Sequence, residues 1–528
     1  MKYTGINIGP IVDTLMLARK PKELWTASYM FSYLMECILK EVEMREALGL
    51  HIVSPALSKV EDNDKDDSDK GKKEVGLYPD RVFIRHEGDI NISDIISKAK
   101  SEFKKNAYYF DKEKKKIINV DENYFNVITA TTEKYKDDGK TIMKLNSIFD
   151  RAELANRTID DEVRTTVMKL LKEDKPFKID VANPSIGDIA MRAKGEGRNA
   201  SYKKYICIVQ ADGDKMGKTI EKSANNVGDL SEALLRQGKA ARDIIEKYGG
   251  EPIYIGGDDL LFLAPVVSKD DRSRNIFSLL KELDDNFKKC LKDIVKELED
   301  EDVKNPSMSF GLSITYNKYP LYEALKAARE LLFDKAKKEP DKDAIAWRLR
   351  KHSGSGFEGI ITQGSDVAKY FDRLFRLNDK EKEKEETEIS AIAHKLRENI
   401  DLLELIREEP DQENRERRIR AFYKTMLNES NAEEKDPKRD PSVDKTNEPT
   451  VDEKADENKK ATYTQRTREL LLSLFEAYPK PEKGEKDDIR KKNRETMEKI
   501  LETMYGMLRT AKFINGEHEE NLEDKKDE

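Results

Sequence analysis

The sequence predicts an α+β fold in which a ferredoxin-like palm lies between an N-terminal α/β region and a C-terminal helical bundle. Three observations carry this. A buried-type strand over residues 205–210 runs into Ala211-Asp212-Gly213-Asp214, and Ile255-Gly256-Gly257-Asp258-Asp259-Leu260, set between apolar segments 252–255 and 260–267, reads as a β-hairpin. The elements around these acids follow the order β-α-β-β-α-β. Beyond residue 366 the chain changes to long stretches rich in Lys, Glu, Leu and Ile with helical periodicity.

In chain order, the first region opens with a strand over residues 3–8, a Gly9-Pro10 turn and a helix with Leu24, Ala27, Phe31, Leu34 and Ile38 on one face. Residues 59–74 are acidic, lysine-rich and free of aromatics, the composition of a disordered insertion. The palm continues from its first strand with a helix over 230–248, apolar at Leu230, Leu234, Ala241, Ile245 and Tyr248 and opened by an Asp229-x-x-Glu232 capping box. After the hairpin come a helix over 276–298, a strand over 308–316, a helix over 321–338 and a strand over 344–351. The helical end divides into 366–428 and 463–513, joined by a charged, proline-containing linker over 429–461. Leu470, Leu471, Leu474 and Phe475 form one apolar face there, and Ile500, Met504, Leu508 and Phe513 another. The expected domains are 1–188, 189–361 and 362–528.

With 528 residues the chain has room for three or more domains. Charged residues make up 39% of it, yet the net charge is only −8, so both signs are interspersed; this is not the bulk basic footprint of a protein that grips nucleic acid by charge alone. Cys37, Cys207 and Cys290 are isolated, which excludes a disulfide framework and a CxxC zinc site. No signal peptide opens the chain and no apolar run reaches membrane-spanning length, so a cytoplasmic protein is expected.

The chemistry concentrates in the acids. A Gly-Gly-Asp-Asp hairpin is also an ordinary turn composition, but here a second acidic strand end, at Asp212 and Asp214, lies beside it in the predicted sheet. Carboxylates on rigid strand ends suit Mg²⁺, and two such ions serve an in-line displacement at phosphorus, which points to nucleotidyl transfer. Gly256 and Gly257 leave space for backbone or phosphate to approach. By contrast, Gly213-Asp214-Lys215-Met216-Gly217-Lys218-Thr219 imitates a P-loop but has three residues between its glycines where that loop needs four. Lys215 and Lys218 are left as point charges within reach of phosphate, or as solvated lysines.

These residues resemble the large subunit of type III CRISPR effector complexes in its Cmr (III-B) form. The resemblance rests on Ile8-Gly9-Pro10-Ile11, Ala18-Arg19-Lys20 and Leu24-Trp25-Thr26-Ala27-Ser28-Tyr29 near the start, on Asp212-Gly213-Asp214-Lys215-Met216-Gly217-Lys218, and on Gly256-Gly257-Asp258-Asp259. It implies two ferredoxin-like, nucleotide-cyclase-like palms followed by a helical bundle, working with other Cmr-type subunits, CRISPR RNA and target RNA, with no membrane partner. On binding target RNA, such proteins convert ATP into signalling nucleotides of the cyclic oligoadenylate type. By this resemblance Asp212, Asp258 and Asp259 are catalytic and hold Mg²⁺ or Mn²⁺, with Asp212 and Asp258 the principal ligands. Gly256, Gly257, Gly213, Asp214, Lys218 and Lys335 or Lys337 contact the nucleotide, and ATP is the substrate.

Three departures accompany the resemblance. An HD nuclease needs a His-Asp pair, but none of His51, His86, His352, His394 and His518 precedes an aspartate, and the palm signature starts at residue 3; no DNA cutting is expected. The zinc-binding cysteines of many relatives are missing. The first palm carries Tyr78-Pro79-Asp80-Arg81 where paired acids would stand, so it is expected to bind a nucleotide at most. Three alternatives remain open at this level: adenylylation of S-adenosylmethionine by the same site, a catalytically silent scaffold, and a free-standing cyclase or polymerase.

Overall fold

The computed structural model describes residues 1–57, 75–154, 159–179, 184–195, 200–298, 300–340, 342–376, 379–427, 462–478 and 486–516. The expected insertion at 59–74 and linker at 429–461 lie outside the described residues. The chain forms two compact units, Met1–Ser355 and Gly356–Glu528.

The first unit contains two sheets of like topology. β1 (Lys2–Gly9) leads through helices α1 (Ile11–Leu15) and α2 (Pro21–Glu43) to β2 (His51–Ser54) and β3 (Arg81–His86). Helix α3 (Ile92–Asn106), capped by the Asn91 side chain, and a small hairpin of β4 (Tyr108–Asp111) and β5 (Lys116–Asn119) precede β6 (Asn126–Glu133). The sheet order β2-β3-β1-β6, antiparallel throughout, is the ferredoxin-like arrangement. Helices α4 (Asp138–Glu153), α5 (Asp161–Leu171) and α6 (Ile186–Met191) follow.

The second sheet repeats the pattern. β7 (Tyr205–Gly213) passes through α7 (Met216–Lys222) and α8 (Val227–Tyr248) to the hairpin β8 (Glu251–Gly256) and β9 (Asp259–Pro265), then through α9 (Ile276–Lys296) to β10 (Met308–Tyr316). Within this unit α10 (Leu321–Glu330) leads to β11 (Ala344–Arg350), and the order is β11-β10-β7-β9-β8, with β11 parallel to β10. Both palms are therefore ferredoxin-like.

One core joins them. Helix α2 is buried nearly all round, as a helix must be when it is covered on every side. Its Trp25, Met30, Phe31, Leu34 and Ile38 belong to the same apolar cluster as Ile206, Ile208, Ile253 and Leu263 of the second sheet. On the far face of the first sheet, Phe149 of α4 packs over β1 where Gly5 leaves it room: a Cβ there would lie 2.7 Å from the ring.

Two local expectations are corrected. Helix α8 starts a turn earlier than its apolar spacing predicts, after Asn226, with no side-chain cap. Asp229 and Glu232 thus form no capping box; Asp229 sits in the first turn, where its charge favours the helix dipole. The helix predicted over 321–338 is α-helical only to Glu330, then passes through a π turn at Leu331–Lys335 and a 3₁₀ turn at Ala336–Lys338. At this interruption the backbone passes close over Gly311 of β10, where a Cβ would lie 2.0 Å from the Ala328 carbonyl oxygen and 2.6 Å from the Leu332 nitrogen.

In the second unit β12 (Gly356–Thr362) is followed by helices Asp366–Arg373, Asp379–Glu398, Ile400–Glu408, Gln412–Met426, Tyr463–Ala477 and Lys486–Asn515. The stretch 366–428, expected as long helix, is divided into four helices, and one of the breaks holds Pro410, which has no N–H to continue a helix. Leu470, Leu471, Leu474 and Phe475, and Ile500, Met504, Leu508 and Phe513, are all buried. Among the described residues no helix is long and apolar enough to cross a membrane.

Candidate active site

The site forms where two strand ends meet. β7 and β9 pair antiparallel up to Ala211 and Leu260, so the Asp212-Gly213-Asp214 end of β7 lies beside the turn that joins β8 to β9. That turn is a two-residue hairpin closed by the Gly256–Asp259 pair, with Gly257 at φ +67°, where glycine avoids the Cβ strain of other residues. The Gly213 N–H donates to the Asp258 carbonyl at 3.1 Å and ties the two together. Such closeness requires glycine: a Cβ on Gly213 would lie 2.8 Å from that of Asp258. Gly256 lies under the Tyr254 ring, while nothing stands within 4 Å of where a Gly257 Cβ would be, so the turn faces open space.

Three carboxyls share this point. Asp212 is within hydrogen-bonding reach of both Asp258 and Asp259. Burial, and then the charge of Asp212, pushes the Asp258 carboxyl up to about 7. Asp259 is pushed well above the usual carboxylate range by burial and by the charges of Asp258, Asp212 and Asp80. Like charges gathered in this way are stable together only with protons or a cation among them. Among the described residues no three His, Cys, Asp or Glu side chains form a ready-made metal cage. The donor set instead fits Mg²⁺ or Mn²⁺ held by one or two carboxylates, with water and substrate phosphate completing the shell. Bound there, such an ion would polarise the reacting phosphate and steady the leaving group.

Lys337 supplies the fixed positive charge. Its ammonium donates to the carbonyls of Asp212 and Gly213, both at 2.8 Å, and pairs with Asp212 Oδ2 at 2.6 Å and Asp214 Oδ1 at 2.8 Å. Burial opposes its charge, but the two carboxylates outweigh burial and hold its pKa above the ordinary lysine value. Lys335, on the π turn, is exposed.

Asp214 is enclosed by protein. It accepts from the hydroxyls of Ser307 at 2.8 Å and Ser309 at 2.9 Å, from the Asp343 N–H at 2.9 Å and from Lys337. Behind it, Lys288 of α9 bridges Asp343 at 3.2 Å and Asp284 at 2.5 Å, and Asp284 accepts the Met308 N–H at 2.9 Å. Lys218 is turned to Asp302 and Asp300, at 2.6 and 3.3 Å, rather than to the carboxyl cluster.

Sequence reasoning missed the support from Ser307, Ser309, Asp284, Lys288 and Asp343. The polar positions Ser309, Gly311, Ser313 and Thr315 alternating along an otherwise apolar β10 were the available signal. The first palm also contributes. Its Gly76 carbonyl accepts the Ile255 N–H at 2.9 Å, and the half-buried Asp80 adds its charge to that felt by Tyr254 and Asp259. The described histidines are used elsewhere: His86 bonds Thr4 at 2.9 Å and the Gly88 carbonyl at 2.7 Å, His352 lies edge-on to Tyr316, and His51 and His394 face Glu46 and Glu398. His518 lies outside the described residues.

A family model described as the second palm domain of Cas10/Cmr2 matches residues 205–346, and one described as the N-terminal part of CRISPR-associated protein Cmr2 matches residues 3–110. The Cmr2 subunit of the Cmr CRISPR system of Pyrococcus furiosus is 30% identical over 201 residues, covering 31% of this chain and 21% of that protein. The match thus spans about a fifth of the length of that curated relative. Among solved structures, a type III-B Cmr-beta complex in its apo state has a chain 12% identical, with 86% of this chain and 78% of that chain covered and a TM-score of 0.49. A Csm1-Csm4 cassette in complex with cA4 has one 12% identical, with 90% and 70% covered and a TM-score of 0.45. Residues 3–110 and the carboxylate-bearing residues 205–346 thus each match a model of the Cas10/Cmr2 family, in that order along the chain.

Proposed function

We propose that this chain is a nucleotidyltransferase that works in the cytoplasm as the large subunit of an RNA-guided type III-B particle and makes cyclic oligoadenylate-type signals from ATP once target RNA is bound. The observation that carries the reading is the meeting of the Asp212 strand end with the Asp258-Asp259 turn, tied together by the Gly213 N–H, at a glycine that faces open space. A scaffold gains nothing from gathering carboxyls that repel one another. The arrangement suits a site that waits for a cation and a triphosphate.

In this reading Asp212 and Asp258 hold the cation, with Asp259 beside them in an outer shell, and Gly257 leaves the approach to the turn clear. Lys337 holds the Asp212-bearing strand end in place and balances part of the negative charge. A ribose 3′-hydroxyl attacks the α-phosphorus of ATP, the new P–O bond forms as the bond to pyrophosphate breaks, and the hydroxyl proton leaves to solvent. The family resemblance supplies the product class and the partners: CRISPR RNA, target RNA and the other Cmr-type subunits.

The test is mass analysis of products made by the assembled, target-RNA-bound particle from labelled ATP, with and without S-adenosylmethionine. Oligoadenylates from the wild type, and none from Asp258→Ala with Asp259→Ala in particles that still assemble and bind RNA, are expected. An adduct formed only with S-adenosylmethionine would replace the proposed product. Undiminished synthesis by the double variant would overturn the site.

A further inference from the structure

A second polar site lies on the second palm, away from the carboxylates. Where α10 crosses the sheet, Leu321, Leu325 and Ala328 pack with Ile206 and Ile208, as a helix over a sheet should. Next to this, on β10 and β11, the same face is polar. Ser313 pairs in register with Arg348, and Thr315 with Arg350. Helix and sheet part there around a pocket of about 240 Å³ floored by these four residues, with Tyr319, Glu323, Lys326 and Glu330 at its wall.

The floor is built at a cost. Ser313 and Thr315 are 1% and 3% exposed, and neither hydroxyl oxygen has a hydrogen-bond partner. Buried polar groups are normally satisfied, so two adjacent orphans lining one pocket point to a ligand or to water that completes them. Their strand neighbours are guanidiniums, the side chains best shaped for planar recognition of phosphate oxygens. Arg350 lies over the Tyr319 ring at 4.9 Å, which fixes it in place. At the wall, Lys326 faces Glu330 at 3.9 Å, and Glu323 adds a second carboxylate to the lining. Donors on the floor and carboxylates on the wall suit a phosphate carried on a ribose better than a bare phosphate.

We propose that this pocket is a nucleotide-phosphate site, separate from the carboxylate site and independent of metal. Free mononucleotide and the phosphate ester of an RNA end share the chemistry it recognises.

The experiment is calorimetric titration of the full chain, in EDTA, with AMP, inorganic phosphate, adenosine and a short 5′-phosphorylated oligoadenylate. AMP is expected to bind, phosphate more weakly and adenosine not at all; tighter binding of the oligonucleotide than of AMP would identify an RNA end as the natural occupant. Arg348→Gln with Arg350→Gln is expected to weaken AMP by roughly tenfold or more, the loss of charge-assisted bonds to the phosphate. Ser313→Ala with Thr315→Val, which keeps the packing, is expected to weaken it by a few fold. Asp258→Ala with Asp259→Ala should leave it unchanged. AMP that does not bind the wild type, that binds the arginine variant equally well, or that is lost in the Asp258/Asp259 variant would overturn the proposal.

Discussion

Lys337 places its ammonium 2.8 Å from Asp214 Oδ1, and through that contact the end of an interrupted helix holds a strand end from across the sheet. The same ammonium reaches Asp212 at 2.6 Å, so one cation serves a carboxylate enclosed by protein and one that faces the open turn. The division of labour between these residues leads to distinct expectations for each.

Lys337→Met is expected to destabilise the chain by about 3–5 kcal/mol, because it leaves the buried Asp214 charge uncompensated. It should also abolish nucleotide synthesis. Lys335→Ala, at an exposed position, should change stability by no more than about 0.5 kcal/mol. Urea unfolding of both variants checks this, and equal effects would show that the π turn does not select between the two lysines.

Asp214 and Asp212 should separate in the opposite sense from what adjacency suggests. Asp214→Ala removes the acceptor of two hydroxyls, one backbone N–H and Lys337, and is expected to cost about 3–5 kcal/mol. Asp212→Ala relieves repulsion with Asp258 and Asp259, so its stability should stay within about 1 kcal/mol of the parent while synthesis is lost. Thermal unfolding beside product analysis distinguishes the two; a stable Asp214→Ala protein would contradict the enclosure seen here.

Gly213→Ala should act through distance alone. A Cβ 2.8 Å from that of Asp258 must push the turn away from the strand end, at a cost of about 1–3 kcal/mol. A shift of that order at the reacting groups is expected to slow synthesis by roughly 100-fold. Kinetics on the folded variant check it, and near-normal rates would mean that the two strand ends need not touch.

The acid-bearing turns were legible in the sequence because they are local: a short apolar strand ending in Asp212-Gly213-Asp214, and a Gly256-Gly257-Asp258-Asp259 hairpin, each announce themselves within ten residues. The palm topology was legible from the order of periods. The early start of α8 and the interruption after Glu330 were not. Leu331 and Leu332 continue the helical apolar spacing, and the π turn lies against Gly311 of a strand that the local sequence does not reveal. Likewise, nothing near Asp214 in the chain signals Ser307, Ser309 and Asp343, which reach it only through the fold.

Asp284 gives a pH dependence. Burial, and then the charge of Asp343, pushes its carboxyl up to about 6, against the counter-effects of Lys288 and the Met308 N–H. The unfolded chain releases this proton near the ordinary value of 3.8, so between 3.8 and about 6 the folded chain holds more protons, and stability falls as pH rises through that window. Asp284→Asn keeps an oxygen for the Met308 N–H and removes the titration, while Lys288 retains Asp343. Its melting temperature relative to the parent should therefore climb from pH 4 to pH 7. A difference that stays constant across that range would show that the Asp284 carboxyl titrates alike in the folded and unfolded chains.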